Sequence, residues 1–596
     1  MLKFDYIKLK IHNGQLKIED KEIETLKESS LSQYKKIKGG DVVYIYRGTR
    51  LRKIYIGQTT KFLERHVEHY REQDGSFKDA DFEEVIVLWS RYLEGSGIID
   101  AESQLITYFL AENPKPIKTL SKKSCIDKKS IDYEIMNRTK GNNVNDYEKQ
   151  ENVALEVVLP FWEKVLFKNG WVKNPTLDKL RNSALVKYSP IKKITNEQLD
   201  ILNEIKLHHH KNFVINGDPG TGKTVLLTHL VASFLNKKDD KKIAVVVQSN
   251  WIDTAKEIFK VFGMKSSSLT IATSTQLINT SESYDVIIVD ESHKLSRSHT
   301  KQMNSFNKVY KGDFSNNENH LEILKKIGSQ IVLMYDVFQA IRPANITRTQ
   351  FSEATKGFEK RFLKTQFRIH SPKGEDYTSE DFINGIKYLL YKDTGLLEGT
   401  KFKESFDRGI FKDNDSFDSY FGFFEEEPLR NLIEWVEKDR NFYPEHINRI
   451  VAWLVEPWKQ AHGKDSSITH WHEGNIKRRW NSTQEKWINS KDLDAEDQIG
   501  SVFAVQGIDL NKVGVLIGND LQVDNNGVLF GNPENFHNVN GKFSKDDDSP
   551  ENEFEFTLFV LNIYYVLMTR GIDGIRLGFW KNDSFKEYMK EVLEIS

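Results

Sequence analysis

Residues 216–224, NGDPGTGKT, constrain this 596-residue chain more than any other stretch. They follow the apolar run FVI and precede VLLTHLVASFL, which reads as a helix. A strand that passes into a helix through a glycine-rich turn is the start of a crossover in a parallel α/β sheet. Gly217, Asp218, Pro219, Gly220, Thr221 and Gly222 form a loop whose backbone N–H groups can close around a phosphate. The helix N-terminus adds a positive dipole, Lys223 neutralises phosphate charge, and the Thr224 hydroxyl is a ligand for Mg2+. From Thr195 onward, further apolar runs alternate with amphipathic helical segments: IAVVVQS, DVIIVDE, QIVLMYD, RIVAWLV and VGVLIGN. That alternation predicts parallel sheets through most of the chain.

The run YDVIIVDESH delivers Asp290 and Glu291 at the carboxyl end of a buried strand, where ligands bind in open α/β sheets. Asp290 is placed to hold Mg2+, and Glu291 to orient or deprotonate an attacking water. Upstream, Gln198 in ITNEQLDIL carries an amide able to read an adenine edge through two hydrogen bonds. Downstream, QIVLMYDVFQAI ends another strand and places Asp336 and Gln339 near the same edge. Gln366-Phe367-Arg368, then Gln506, Gly507 and Asp509, then Arg570 follow in order.

This ordered set resembles a superfamily 1 helicase with two RecA-like lobes, and in detail the Schlafen group 3-like DNA/RNA helicase domain, over roughly Thr195 to Trp580. The resemblance implies that Gln198 reads adenine and that Gly217 to Thr224 with Asp290 and Glu291 form an ATP–Mg2+ site. It implies that Gln339 senses the γ-phosphate, and that Gln506 and Gly507 take part in nucleotide binding. Arg368 and Arg570 would reach across the cleft as arginine fingers, stabilising charge on the γ-phosphoryl oxygens when the lobes close. One residue departs from the pattern: Asp509 stands where the family usually has glutamate.

A second constellation lies near the N-terminus, in DVVYIYRGTRLRKIYIGQTTKFLERHVEH. Two short strands flank the turn RGTRLRK. Strand periodicity puts Tyr44 and Tyr46 on one face, and Tyr55 and Gly57 on one face of the second strand. A helix follows, capped at Thr59 or Thr60, with Arg65 and His69 four residues apart and so on one side. Two phenols, a guanidinium and an imidazole suit a phosphodiester: a proton relay and a cation for the pentavalent phosphate. Glu102, opening the helix DAESQLITYFL, supplies a metal-binding carboxylate. The arrangement resembles the GIY-YIG endonuclease domain over roughly Gly40 to Asn137. That likeness implies that Glu102 binds one Mg2+ or Mn2+, that Arg65 stabilises the scissile phosphate, and that Tyr44, Tyr55 or His69 relays the proton from water. The first triplet is VVY rather than GIY, and Asn113, Asn137 and Asn142 compete for the motif's closing asparagine.

The predicted class is α/β: a small GIY-YIG-like nuclease domain over 1–140, a linker and helical connector over 141–190, RecA-like lobe 1 over 191–345 and RecA-like lobe 2 over 346–596. The connector carries a helical pattern, LEVVLPFWEKVLF, broken by Pro160, and GKFSKDDDSPENEFE reads as a surface loop. The single cysteine, Cys125, excludes an intramolecular disulfide framework and fits a reducing cytoplasm. No run approaches the roughly 20 apolar residues of a membrane span. Net charge is −2, but residues 31–71 hold ten Lys/Arg against three Asp/Glu, a local surplus for phosphates. His208–His210 and the pair His470 and His472 lack zinc spacing. Trp453, Trp458, Trp471 and Trp480 fit core packing before base stacking.

The expectation is an ATP-dependent nuclease–helicase acting on nucleic acid, DNA rather than RNA, in defence against foreign DNA or in repair. Self-association or a defence-system protein would be its protein partners. Two alternatives stand beside it: an ATPase that gates the nuclease without unwinding, and an ATPase with a non-catalytic nucleic-acid-binding N-terminal module.

Overall fold

The computed structural model describes residues 2–18, 21–22, 31–71, 76–113, 133–136, 150–177, 180, 186, 194–235, 241–261, 268–280, 282–298, 309–341, 345–363, 377–398, 400, 402–414, 416–444, 446–453, 456–457, 465, 467–480, 498–505, 510–537 and 550–595. The chain forms two compact units. One comprises residues 1–207, 224–243 and 248–271; the other comprises 208–223, 244–247 and 272–596.

The first unit opens with a seven-stranded sheet of β1 (Asp5–His12), β2 (Gln15–Ile18), β3 (Lys21–Glu22), β4 (Val42–Gly48), β5 (Lys53–Thr59), β6 (Glu84–Trp89) and β7 (Glu134–Ile135), in the order β3-β2-β1-β6-β4-β5-β7. β4 and β5 pair antiparallel, with Tyr44 opposite Gly57 and Tyr46 opposite Tyr55. Alternation then divides the hairpin between two cores. Val43, Ile45, Ile54 and Ile56 pack with Ile98, Ala101 and Leu105 of helix α2 (Ser96–Glu112), while Tyr44 and Tyr46 pack with Phe62 of helix α1 (Phe62–Arg71) and with Phe77. Full burial of such side chains contributes on the order of 1.5–3 kcal/mol each, so a one-residue slip in register would expose both sets.

The connector helix does not stop at Pro160. Helical structure runs from Gln150 to Phe167, with wide π-type turns over Val153–Val158 and Trp162–Phe167 on either side of the proline. Proline lacks the N–H that an α-turn uses and its ring crowds the preceding turn. The wide turns take up that mismatch, and burial of Phe161, Trp162 and Leu166 holds the helix in place. Helices α3 (Asn196–Leu207) and α4 (Lys223–Leu235) follow.

The second sheet has the order β10-β9-β11-β12-β8-β13, built from β8 (Phe213–Gly217), β9 (Ile243–Val246), β10 (Leu269–Ala272), β11 (Tyr284–Val289), β12 (Gly328–Tyr335) and β13 (Glu359–Leu363). β11, β12, β8 and β13 pair in parallel. β13 lies past residue 345, so this sheet takes in chain beyond the boundary read from sequence. Its sequence, EKRFL, is that of a charged edge strand without the apolar run that marks buried ones.

The third sheet has the order β14-β22-β19-β15-β18-β17-β16 and runs parallel except for the β16–β17 pair. Its strands are β14 (Phe421–Phe424), β15 (Arg449–Ala452), β16 (Trp471–Glu473), β17 (Ile476–Trp480), β18 (Gln498–Ser501), β19 (Leu510–Ile517) and β22 (Gly571–Phe579); β20 (Leu521–Val523) and β21 (Leu529–Gly531) form a separate ribbon. Helices α5 (Ser379–Tyr391), α6 (Pro428–Phe442) and α7 (Pro550–Met568) contribute to its core. The stretch PENEFE, expected in a surface loop, opens α7 with Pro550 at its start, where a missing N–H costs nothing. Trp453, Trp471 and Trp480 are buried in this core; Trp458 lies outside the described residues. Among the described residues, no helix is long and apolar enough to cross a membrane.

Candidate functional site

Parallel pairing brings the expected phosphate site together at strand ends. Val289 of β11 lies opposite Leu333 of β12, and Tyr335 lies opposite Asn216 of β8. Gly217, Asp290 and Asp336 therefore leave the sheet at the same edge, as residues that meet one ligand must.

The loop backbone depends on its glycines. Gly220 and Gly222 have φ of 82° and 80°, a region that costs other residues about 1–2 kcal/mol. A Cβ at Gly217 would lie 2.5 Å from the Thr221 hydroxyl, which itself donates to the Asp218 carbonyl at 2.8 Å. Lys223 is buried and donates to the carbonyls of Gly217 and Asp218, the latter at 3.0 Å, with the Asp336 carboxylate 3.5 Å away. Thr224 is the second residue of α4.

Burial, and then the neighbouring Glu291, push the Asp290 carboxyl up to about 7. A divalent cation would relieve that crowding of acids, so the Asp290–Glu291 pair fits a bound Mg2+. Burial works against ionisation of Glu291 too, but Lys294 and His293 outweigh it and hold Glu291 well below the usual carboxylate range. Glu291 has φ of 50°, and its Oε2 is 2.9 Å from His293 Nε2. Strain in a left-handed acidic residue, fixed by a buried histidine, aims the carboxylate.

Asp336 anchors a polar chain that the sequence did not foretell. Its carboxylate accepts from Phe338 N at 3.0 Å and from Gln339 Nε2 at 2.6 Å. Gln339 Oε1 accepts from Arg570 Nη2 at 3.1 Å, and Arg570 is 1% exposed. Lys223, Asp336, Gln339 and Arg570 thus form one series from the phosphate loop to the third sheet. Lys387 of α5, also unforeseen, lies 2.7 Å from Asp218 Oδ1. Its signal was legible: a lysine on the apolar face of INGIKYLLY.

Gln198 lies in the capping box of α3, where its Oε1 accepts from Thr195 N at 3.0 Å and Thr195 Oγ1 accepts from Gln198 N at 3.1 Å. The T-x-x-Q spacing of TNEQ is that of a capping box. The carbonyl half of the expected adenine-reading amide is thereby engaged in the helix cap. Arg368, Gln506, Gly507 and Asp509 lie outside the described residues.

The N-terminal constellation also converges. Tyr44 OH is hydrogen-bonded to His69 Nε2 at 3.0 Å, and the Tyr55 and His69 ring centroids are 5.0 Å apart. Arg65 hydrogen-bonds the Tyr44 phenol and also donates to Glu68 at 3.0 Å. Glu102, from α2, accepts from the Gln58 backbone and lies within electrostatic reach of Tyr44. Burial pushes the Glu102 carboxyl up to about 7 and the Tyr44 phenol well above its ordinary value. Gly57 is required here: a Cβ on it would sit 2.5 Å from the Tyr44 hydroxyl. Phe77 stacks on His69 at 4.4 Å and fixes the imidazole plane.

Among the described residues no group of three or more His, Cys, Asp or Glu side chains is gathered for a metal. Glu102 stands as a single buried carboxyl beside a phenol and an arginine; ionised, it could serve as the one protein ligand of an Mg2+ that keeps most of its waters. Asn113 closes α2: it donates to the Phe109 carbonyl at 2.8 Å, and its Oδ1 accepts from Tyr133 N at 3.2 Å. Asn137 and Asn142 lie outside the described residues.

The family model for the Schlafen group 3, DNA/RNA helicase domain matches residues 210–580. The uncharacterized protein YPL245W of Saccharomyces cerevisiae is 27% identical over 402 residues, which covers 62% of this chain and 81% of that protein. Among solved structures, the DUF1998 helicase MrfA bound to DNA and AMPPNP matches 70% of this chain and 52% of its own, with a TM-score of 0.29 and 9% identity. Bacteroides sp Pif1 in complex with ADP-AlF4 matches 68% and 96%, with a TM-score of 0.29 and 12% identity.

Proposed function

Because the chain belongs to the Schlafen group 3 DNA/RNA helicase family, and so carries a helicase-type, nucleic-acid-acting ATPase domain, we propose that it is an ATP-dependent nuclease–helicase. The observation that carries the nuclease half is the convergence of Tyr44, Tyr55, Arg65, His69 and Glu102 about one hairpin. DNA is the proposed substrate, with defence against foreign DNA or repair as the proposed setting.

In the motor, ATP binds with its phosphates in the loop from Gly217 to Thr224. A bound Mg2+, for which Thr224 and Asp290 would be the ligands, would supply neutralisation of phosphate charge. Glu291 is ionised and aimed, so it orients the attacking water and accepts its proton. Gln339 receives the change at the γ-phosphate and passes it to Arg570 through their shared hydrogen bond. Closure and release of the lobes then ratchet a single strand.

In the nuclease, a bound Mg2+ or Mn2+ would supply a Lewis acid for the scissile phosphate, with Glu102 as its protein ligand. Arg65 stabilises the added negative charge in the transition state. The Tyr44–His69 hydrogen bond gives a path for the proton of the attacking water, with Tyr55 flanking the imidazole. Tethering to the motor raises the local concentration of strand at this site.

The test is cleavage of plasmid, linear, forked and single-stranded DNA, and of RNA, in Mg2+, with ATP, with a non-hydrolysable analogue and without nucleotide. ATP-dependent strand displacement together with cleavage is expected. ATP-altered cleavage without displacement would make the ATPase a gate. Intact ATPase with no cleavage on any substrate would make the N-terminal unit a binding module.

A further inference from the structure

Helix α5 buries Phe382, Ile386, Leu389 and Leu390, yet the same helix carries a lysine that is 3% exposed, Lys387. Its Nζ lies 2.7 Å from Asp218 Oδ1 and 2.8 Å from Oδ2. The ammonium also stands 5.0 Å from the ring centroid of Phe338, within the turn between Asp336 and Gln339. Lys387, Asp218, Gly217 and Asp336 line one pocket of about 350 Å³.

Burying a lysine is costly unless it is paired, so its placement calls for a partner, and Asp218 is that partner. Asp218 in turn is an awkward residue for its position. It sits inside the phosphate loop, between Gly217 and Gly220, where a triphosphate brings several negative charges. An unneutralised carboxylate there opposes the ligand that the loop is shaped to hold.

We propose that Lys387 is a positioning residue of the nucleotide site, which neutralises Asp218 and holds its carboxylate away from the nucleotide phosphates. This rests on the reading of the loop as an ATP site and deepens it: affinity for ATP depends on a lysine from the helix that follows the first lobe. Lys387 also fixes Phe338, so the same ammonium links the phosphate loop to the turn that carries Gln339.

The test uses the full chain and three variants, K387M, D218N and K387M/D218N. Binding is read with a fluorescent ribose-labelled ATP analogue in Mg2+, and turnover by steady-state ATPase. K387M is expected to raise Kd and KM about tenfold, the scale of one uncompensated charge near the ligand, with a smaller change in kcat. D218N is expected to tighten binding about threefold, because Lys387 then faces the phosphates unopposed. The double variant is expected to bind about tenfold tighter than K387M, since the carboxylate that needed neutralising is gone.

An unchanged K387M overturns the proposal. A double variant as weak as K387M overturns it too, because Lys387 would then act on the phosphates directly or by packing alone. If K387M does not fold, K387M/D218N against D218N decides: a loss beyond the charge effect, about thirtyfold or more, overturns it. Wild-type protein that neither binds nor hydrolyses ATP would sink the ATPase reading itself, an outcome distinct from any pattern among the variants.

Discussion

The phosphate loop and the tyrosine–histidine cluster are built by opposite means. The loop works mainly through backbone, with Gly220 and Gly222 in left-handed conformations at the end of one strand, and its parts fall within nine consecutive residues. The cluster works through side chains, drawn from two strands and two helices across 58 positions from Tyr44 to Glu102. A backbone site is specified by short-range geometry. A side-chain site exists only once a sheet register and two helix packings have been fixed. The first lies within the family match over 210–580; the second lies outside it.

The largest effect should come from Lys223→Ala. Loss of the buried cation that meets the transferred phosphoryl group is expected to lower ATPase kcat by about 10³ or more, and to leave nucleotide-independent cleavage intact. Equal loss of both activities would collapse the distinction between the two sites. Glu102→Ala is the mirror experiment: cleavage in Mg2+ should fall about 10²–10³-fold while ATP hydrolysis persists. Cleavage that survives Glu102→Ala would mean the metal is held elsewhere.

Gly57→Ala tests the cluster's reliance on packing. The added methyl displaces the Tyr44 ring, so cleavage should fall about 10–100-fold, with a loss of about 1–3 kcal/mol of stability from overpacking. The matching change in the loop, Gly220→Ala, strains the backbone by about 1–2 kcal/mol and should raise KM for ATP.

The smallest effect is a pH dependence at the cluster. Burial holds the Glu102 carboxyl at about 7, so below that pH its proton competes with the metal. Mn2+ affinity of the full chain at the cluster should rise about tenfold per pH unit up to about 7 and level off above it, with about one proton released per ion well below 7 and none well above it. Calorimetry in buffers of different ionisation enthalpy measures that proton. A flat profile would place the metal on another group.

Much of the parallel architecture was legible because apolar strand runs and glycine turns are local signals. FVING, DVIIVDE and QIVLMYD all became strands that end at one edge. β13 was missed because its charges mask an edge strand, and the helix through Pro160 because wide turns absorb the proline. The start of α7 was taken for loop because PENEFE is acidic and polar, although acidic first turns suit a helix N-terminus. Gln198 illustrates competition: the capping box that its spacing encodes uses part of the amide expected to meet adenine.

By itself the sequence determined that a glycine-rich turn would join a strand to a helix over 216–224, that Tyr44 and Tyr46 would share one face of a strand, and that Arg65 and His69 would share one side of a helix. Those outcomes follow from φ preferences and from periods of 2 and 3.6 residues, which act over a few residues. Only the tertiary structure decided that Asp336 and Gln339 would join Lys223 to Arg570, and that Lys387 would meet Asp218 across 169 positions. Such pairs depend on which strand ends and helices the core brings together. Burial then sets how strongly each charge needs its partner.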